Sequence, residues 1–195
     1  MQAGESAQRL FFALWPDPAV RAALAGVTAG LKLPRGRLTP PQNLHVTLVF
    51  LGGADAARRA CVEAAADAIQ AKGFAVTLDR TGWWRRPQVF WAGSSVTPPP
   101  LLDLVRALQA GCEACGFPRE NRPFEVHATL ARKVPAEPPA LDLEPIPWPV
   151  DHFVLVESAL TPAGSEYRVL RSWPLRGIPP LCLRVSAVNP DPTLK

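Results

Sequence analysis

Two short stretches of this chain carry residues that can do chemistry together, Asn43 to Gly52 and Phe124 to Arg132, and each contains the pattern His-x-Thr-Leu. The copies are His45-Val46-Thr47-Leu48 and His127-Ala128-Thr129-Leu130. Histidine is the side chain whose ordinary pKa lets one copy act as a base and a second as an acid near neutral pH. Cleaving a phosphodiester without a metal needs both, because the entering nucleophile loses a proton and the leaving oxygen gains one on the opposite side of phosphorus. The threonine hydroxyls suit the non-bridging phosphate oxygens. A single His-x-Thr is a weak signal, but two copies in matching contexts use two of the three histidines in the chain.

The elements that must hold these groups are strands. Both stretches are rich in Val, Leu, Thr and Phe; the first is closed by Gly52-Gly53 and the second by Pro135. On a strand His45 and Thr47 share one face while Val46 and Leu48 take the other, toward a helix-covered core, and the second copy repeats this. Arg132 stands five positions past His127, so on an unbroken strand it points away from the histidine. It reaches a shared ligand only where the strand ends or bulges. Phe50 is read as a core residue first and a base-stacking candidate second.

An internal repeat frames the motifs. A strand from Arg9 to Trp15, a helix over Ala19 to Leu31 and the His45 strand are matched by a strand from Val89 to Ser95, a helix over Leu101 to Cys115 and the His127 strand. Such duplication predicts two lobes related by a pseudo-twofold, with the histidines on opposite walls of one cleft. The expected fold is α+β, two pseudo-symmetric lobes of mostly antiparallel sheet with helices outside and a central cleft. Residues 9–176 form one bilobal domain, with tails at 1–8 and 177–195.

Between these elements, Leu33 to Gln42 reads as a loop carrying Arg35 and Arg37, and Asp55 caps a helix running to Lys72. Phe74 to Asp79 reads as a strand, and Thr81 to Pro87 as a turn whose Trp83, Trp84, Arg85 and Arg86 suit bases and phosphates as well as they suit a lid on the core. Pro135 to Pro149 reads as an extended surface connection. Val150 to Leu160 and Tyr167 to Trp173 form a hairpin.

The paired motifs, together with Arg9 to Leu14, Glu157 to Leu160 and Tyr167 to Leu175, resemble the 2H phosphoesterase superfamily, and more narrowly the bacterial and archaeal RNA 2′,3′-cyclic phosphodiesterases historically called 2′-5′ RNA ligases. One departure is Val126, where the family usually has proline before the second histidine. The resemblance implies hydrolysis of an RNA terminal 2′,3′-cyclic phosphate to a 2′-phosphomonoester. It further implies His45 as general acid toward the leaving ribose oxygen, His127 as general base on water, Thr47 and Thr129 on the phosphoryl oxygens, and Arg132 as a substrate contact. Phe50 is the weaker substrate contact. Two alternatives come from other classes: end-joining by the same chemistry in reverse, for which the chain carries no Gly-rich nucleotide loop or adenylation lysine motif, and a module whose histidines bind a nucleotide without reacting.

Composition agrees with this reading. With 195 residues, 48% hydrophobic, the chain can bury a sizeable core, and a net charge of +4 carried mostly by arginine suits an anionic partner. RNA ends or cyclic nucleotides are the expected partners, with no membrane, a monomeric state and a cytoplasmic location. Cys112 and Cys115 have metal or redox spacing, but zinc would need a second pair, so they read as reduced thiols and no metal or cofactor is expected. His152 begins an apolar strand and reads as a structural or surface histidine.

Overall fold

The computed structural model describes residues 7–29, 33, 35–139, 141, 143–161 and 164–177. The tail residues outside these spans lie beyond the described structure. In chain order the elements are β1 (Gln8–Leu14), α1 (Pro18–Ala29), β2 (Arg37–Leu38), β3 (Val46–Ala54), α2 (Ala56–Asp67), β4 (Phe74–Leu78), β5 (Arg80–Trp84), β6 (Val89–Gly93), α3 (Pro99–Ala114), β7 (His127–Arg132), β8 (Ile146–Val150), β9 (His152–Thr161) and β10 (Gly164–Pro174). The fold is α+β, and every strand pairing within the named strands is antiparallel.

The two halves meet in one sheet, ordered β10-β9-β1-β3-β7-β6-β5, with β2 alongside β7. β3 and β7 are its central strands, joined by the pair Val46↔Ala128. The strand-helix-strand units β1-α1-β3 and β6-α3-β7 therefore sit on either side of a narrow seam, as the repeat predicts. Each flanks the seam with its motif strand and places its first strand outside.

One face of this sheet carries the main core. Leu10, Phe12 and Leu14 of β1, Leu48 and Leu51 of β3 and Leu130 of β7 are buried there with Leu101, Leu104, Val105 and Leu108 of α3. The α3 residues recur at helical spacing and form one apolar stripe. Pro99 and Pro100 open this helix where missing N–H groups cost nothing, and Gly116, at φ +79°, closes it. Asp55 caps α2 by accepting from the Arg58 N–H at 2.8 Å. The opposite sheet face stays open in the middle, so the side chains that β3 and β7 turn that way line a cleft.

Several local expectations differ from the structure. The stretch expected as a turn from Thr81 contains strand β5, with the turn confined to Arg85–Gln88. The expected loop from Leu33 includes β2, whose Arg37 and Leu38 pair with Arg132 and Ala131. The expected surface connection ends in β8, which buries Trp148 against β4. Pro147 and Pro149 are tolerated because β8 belongs to a sheet of two strands and keeps an unpaired edge. Helix α2 ends at Asp67, short of Lys72. The reduced-thiol reading is also corrected, because Cys115 at the end of α3 forms a disulfide with Cys61 of α2, while Cys112 is buried and free.

Candidate active site

The register set by Val46↔Ala128 puts His45 across from Thr129 and Thr47 across from His127, all four on the open face. Each imidazole is held in the same way. The Nδ1–H of His45 donates to the carbonyl of Asn43 at 2.7 Å, and that of His127 donates to the carbonyl of Glu125 at 2.9 Å. A carbonyl two residues back thus fixes both tautomers and leaves each Nε2 as the working nitrogen. Nε2 of His45 lies 3.1 Å from the Thr47 hydroxyl, which donates to it while the ring is neutral. Asn43, itself buried, donates from Nδ2 to the carbonyl of Ser165 at 2.7 Å and ties this end of β3 to the β9–β10 hairpin.

The two rings differ in surroundings. His45 is 8% exposed, flanked by Phe11 (centroids 4.9 Å apart), stacked on Trp15 (5.7 Å) and edge-on to Tyr167 (5.2 Å). This aromatic wall strips the ring of water and, helped by the Arg132, His127 and Arg21 charges, holds its pKa down to about 4, against the raising effect of the Asn43 carbonyl. His127 is half-buried beside Trp84, 4.6 Å away and edge-on. Its pKa is also lowered, by burial first and by Arg132 and Arg122 to a lesser degree, while Glu125 pulls it up through its carbonyl and its charge. Both imidazoles are therefore neutral in the free protein at pH 7.

Bulges decide what else reaches the cleft. Across β1 and β3, Ala13 pairs with Thr47 but Phe12 pairs with Val49, so Leu48 is an extra residue. Phe50 is thereby returned to the face of Phe11 and Thr47, where it is 54% exposed and packs under the Arg9 guanidinium at 5.0 Å. The core reading of Phe50 is corrected accordingly. On β7 the same shift occurs at Leu130: Thr129 pairs with Trp91, whereas Ala131 pairs with Phe90 and Arg132 with Val89. Arg132 is therefore on the face of His127 and Thr129, which meets the bulge condition set by its spacing. The bulges are pseudo-symmetric, so Phe50 and Arg132 occupy equivalent places five residues past their histidines.

The expected site residues His45, Thr47, His127, Thr129, Phe50 and Arg132 thus share one face. Sequence reasoning missed Phe11, Trp15, Tyr167 and Trp84 as neighbours of the imidazoles. Their only prior signal was an aromatic-rich composition in strands, one residue out of phase with the core. His152, with Nδ1 2.5 Å from the Asp151 carboxylate, stands outside the cleft elements on β9. Among the described residues no group of three or more His, Cys, Asp or Glu side chains is arranged to hold a metal ion.

The solved structure of Escherichia coli LigT complexed with 3′-AMP superposes with a TM-score of 0.80 at 32% identity, covering 89% of this chain and 100% of that one. The fold is that of the 2H phosphoesterases. Residues 16–161 match the 2′-5′ RNA ligase superfamily, and the chain belongs to that family. Among curated relatives, the RNA 2′,3′-cyclic phosphodiesterase of E. coli K12 is 33% identical over 173 residues, spanning 86% of this chain and 97% of the relative. The protein of the same name from Thermus thermophilus is 36% identical over 193 residues, spanning 87% and 91%.

Proposed function

We propose that this protein is an RNA 2′,3′-cyclic phosphodiesterase that opens the terminal cyclic phosphate to a 2′-phosphomonoester by proton transfer through His45 and His127. The observation that carries the reading is the matched anchoring of the two rings, each with Nδ1–H on a backbone carbonyl and Nε2 turned to the cleft. The names of the relatives agree with the activity. In this reading Nε2 of His127 takes a proton from water as its oxygen attacks phosphorus. Nε2–H of His45 gives its proton to the ribose 3′-oxygen as the P–O bond breaks. The Thr47 and Thr129 hydroxyls and the Arg132 guanidinium hold the non-bridging oxygens, where negative charge gathers. Thr47 exchanges its hydrogen bond with His45 for one to the phosphate, which frees Nε2 to carry the transferable proton. The acting unit is the bilobal domain of residues 9–176, working as a monomer in the cytoplasm. Among the described residues no helix is long and apolar enough to cross a membrane.

Paired imidazoles supply both proton transfers, so a metal-activated water is unnecessary. Turnover of an oligonucleotide with a 2′,3′-cyclic end is expected to persist after exhaustive EDTA treatment. Loss of turnover that a divalent ion restores would sink the metal-independent mechanism.

The pH profile follows from the burial of the rings. The competent free enzyme holds one proton on the pair, and kcat/KM reports the free enzyme, so its bell is bounded by the two apparent pKa values of the coupled pair. Both imidazoles are shifted down, His45 to about 4, so the bell is expected to lie on the acid side of the ordinary histidine pKa and to fall across neutrality. Phe11→Ala lets water reach His45, raises its pKa and moves the acid limb toward neutral pH. An unchanged profile in Phe11→Ala, or a wild-type bell centred above neutral pH, would contradict the assignment of these limbs to the buried pair.

A further inference from the structure

Beyond the reacting group, the cleft has one cationic end. β7 finishes at Arg132, followed by Lys133, and β2 sets Arg37 directly opposite Arg132 on the same face. The β5–β6 turn brings Arg85 and Arg86 to the same end, because Trp84 pairs with Val89, Val89 pairs with Arg132, and the Val134 N–H donates to the Gln88 carbonyl of that turn at 3.1 Å. All five cations are exposed, and none makes an ion pair among the described residues. Arginines elsewhere on the sheet are neutralised: Arg168 by Glu157, Arg171 by Glu63 and Asp67, Arg80 by Glu125. Like charges set opposite each other on paired strands, as Arg37 and Arg132 are, oppose folding. That arrangement is offset when an anion lies between them.

The same end carries an aromatic. Trp84 is half-buried between His127 and this cluster, and it leans on Trp91 at 5.3 Å. Trp91 lies flat against the sheet because Gly82 and Gly93 leave it room; a Cβ at either would come within 2.2 to 2.6 Å of its ring. Trp84 is thereby propped on a rigid floor. The other end of the cleft offers Phe50 with the single cation Arg9.

We propose that this end is the track for the RNA chain upstream of the reacting nucleotide, with the preceding phosphodiesters on Arg37, Arg85, Arg86 and Lys133 and a base on Trp84. The inference rests on the function proposed above and adds its substrate class: an oligonucleotide end in preference to a single cyclic nucleotide. Five residues of strand, roughly 16 Å, separate His127 from the start of the cluster, a span suited to the next residues of a chain. Stacking on an indole with cations along the backbone is how single strands are held without sequence preference.

The test compares kcat/KM for 2′,3′-cyclic AMP with that for a short oligoribonucleotide ending in the same cyclic phosphate, across a salt series. The wild type is expected to prefer the oligonucleotide and to lose that preference steeply with salt, since each backbone phosphate contact to a single strand contributes a log–log slope of about −0.7. Arg85→Ala/Arg86→Ala, in an exposed turn, is expected to cut the oligonucleotide-to-mononucleotide ratio by roughly tenfold and flatten the slope by about one. Arg37→Ala is expected to act in the same direction from the other strand. Equal use of both substrates with equal salt dependence, or an undiminished ratio in the double variant, would overturn the track while leaving the proposed function intact. Failure of the wild type to turn over either substrate would overturn both.

Discussion

Replacing His127 or His45 by alanine is expected to lower kcat on a 2′,3′-cyclic RNA end by at least roughly a hundredfold, and by as much as ten-thousandfold if proton transfer is concerted with P–O cleavage. The range follows from what each ring supplies. Each Nε2 is the one titratable nitrogen its half of the seam turns to the cleft, and the nearby hydroxyls of Thr47 and Thr129 cannot take over a proton at neutral pH. The two losses should not add, because both groups act in one transition state. His45 is buried among Phe11, Trp15 and Tyr167, so alanine also leaves a cavity there. His45→Asn keeps a polar group in that space without a transferable proton, and it should be as inactive as alanine while retaining the wild-type circular dichroism and unfolding midpoint. Near-normal turnover in either alanine variant would remove that histidine from the chemistry.

Arg132→Ala carries the second-largest expected effect, a fall in kcat/KM of roughly ten- to hundredfold, the worth of a charge-assisted hydrogen bond to a phosphoryl oxygen. Arg132→Lys should recover only part of it, since an ammonium keeps the charge but not the two-pronged donor. A second readout separates a role in the cleft from a role in folding. Arg132 lowers the pKa of both imidazoles, so its removal should shift both limbs of the kcat/KM profile to higher pH. Full activity in Arg132→Ala, with the profile unmoved, would show that the bulge at Leu130 does not bring this side chain to substrate.

The place of Arg132 also shows where sequence reading stops. His45, Thr47, His127 and Thr129 were legible because residues two apart on a strand share a face, and that holds over three residues whatever follows. Phe50 and Arg132 were not, because an extra residue at Leu48 and at Leu130 resets the alternation, and neither leucine is distinguishable from its neighbours by composition. The aromatic wall around His45 comes from β1 and β10, strands that approach β3 only through long-range pairing. β8 was hidden because its prolines argue against a strand unless one edge is known to be unpaired. The Cys61–Cys115 bridge was hidden for a related reason: it joins two helices whose packing no local spacing announces. Periodicity and the repeat made the lobes and the pairing of motifs visible, while register and bulges appeared only with the sheet assembled.

The measurement that bears most directly on the proposed reaction is the identity of its product. An oligoribonucleotide with a 2′,3′-cyclic phosphate end, digested with the wild-type protein in the presence of EDTA, is compared by chromatography with authentic 2′- and 3′-phosphate standards. With His127 behind the entering water and His45 beside the leaving oxygen, the 3′-oxygen departs and the 2′-phosphate is the expected main product. A main product carrying a 3′-phosphate would contradict that orientation, and an intact cyclic end would contradict the account as a whole.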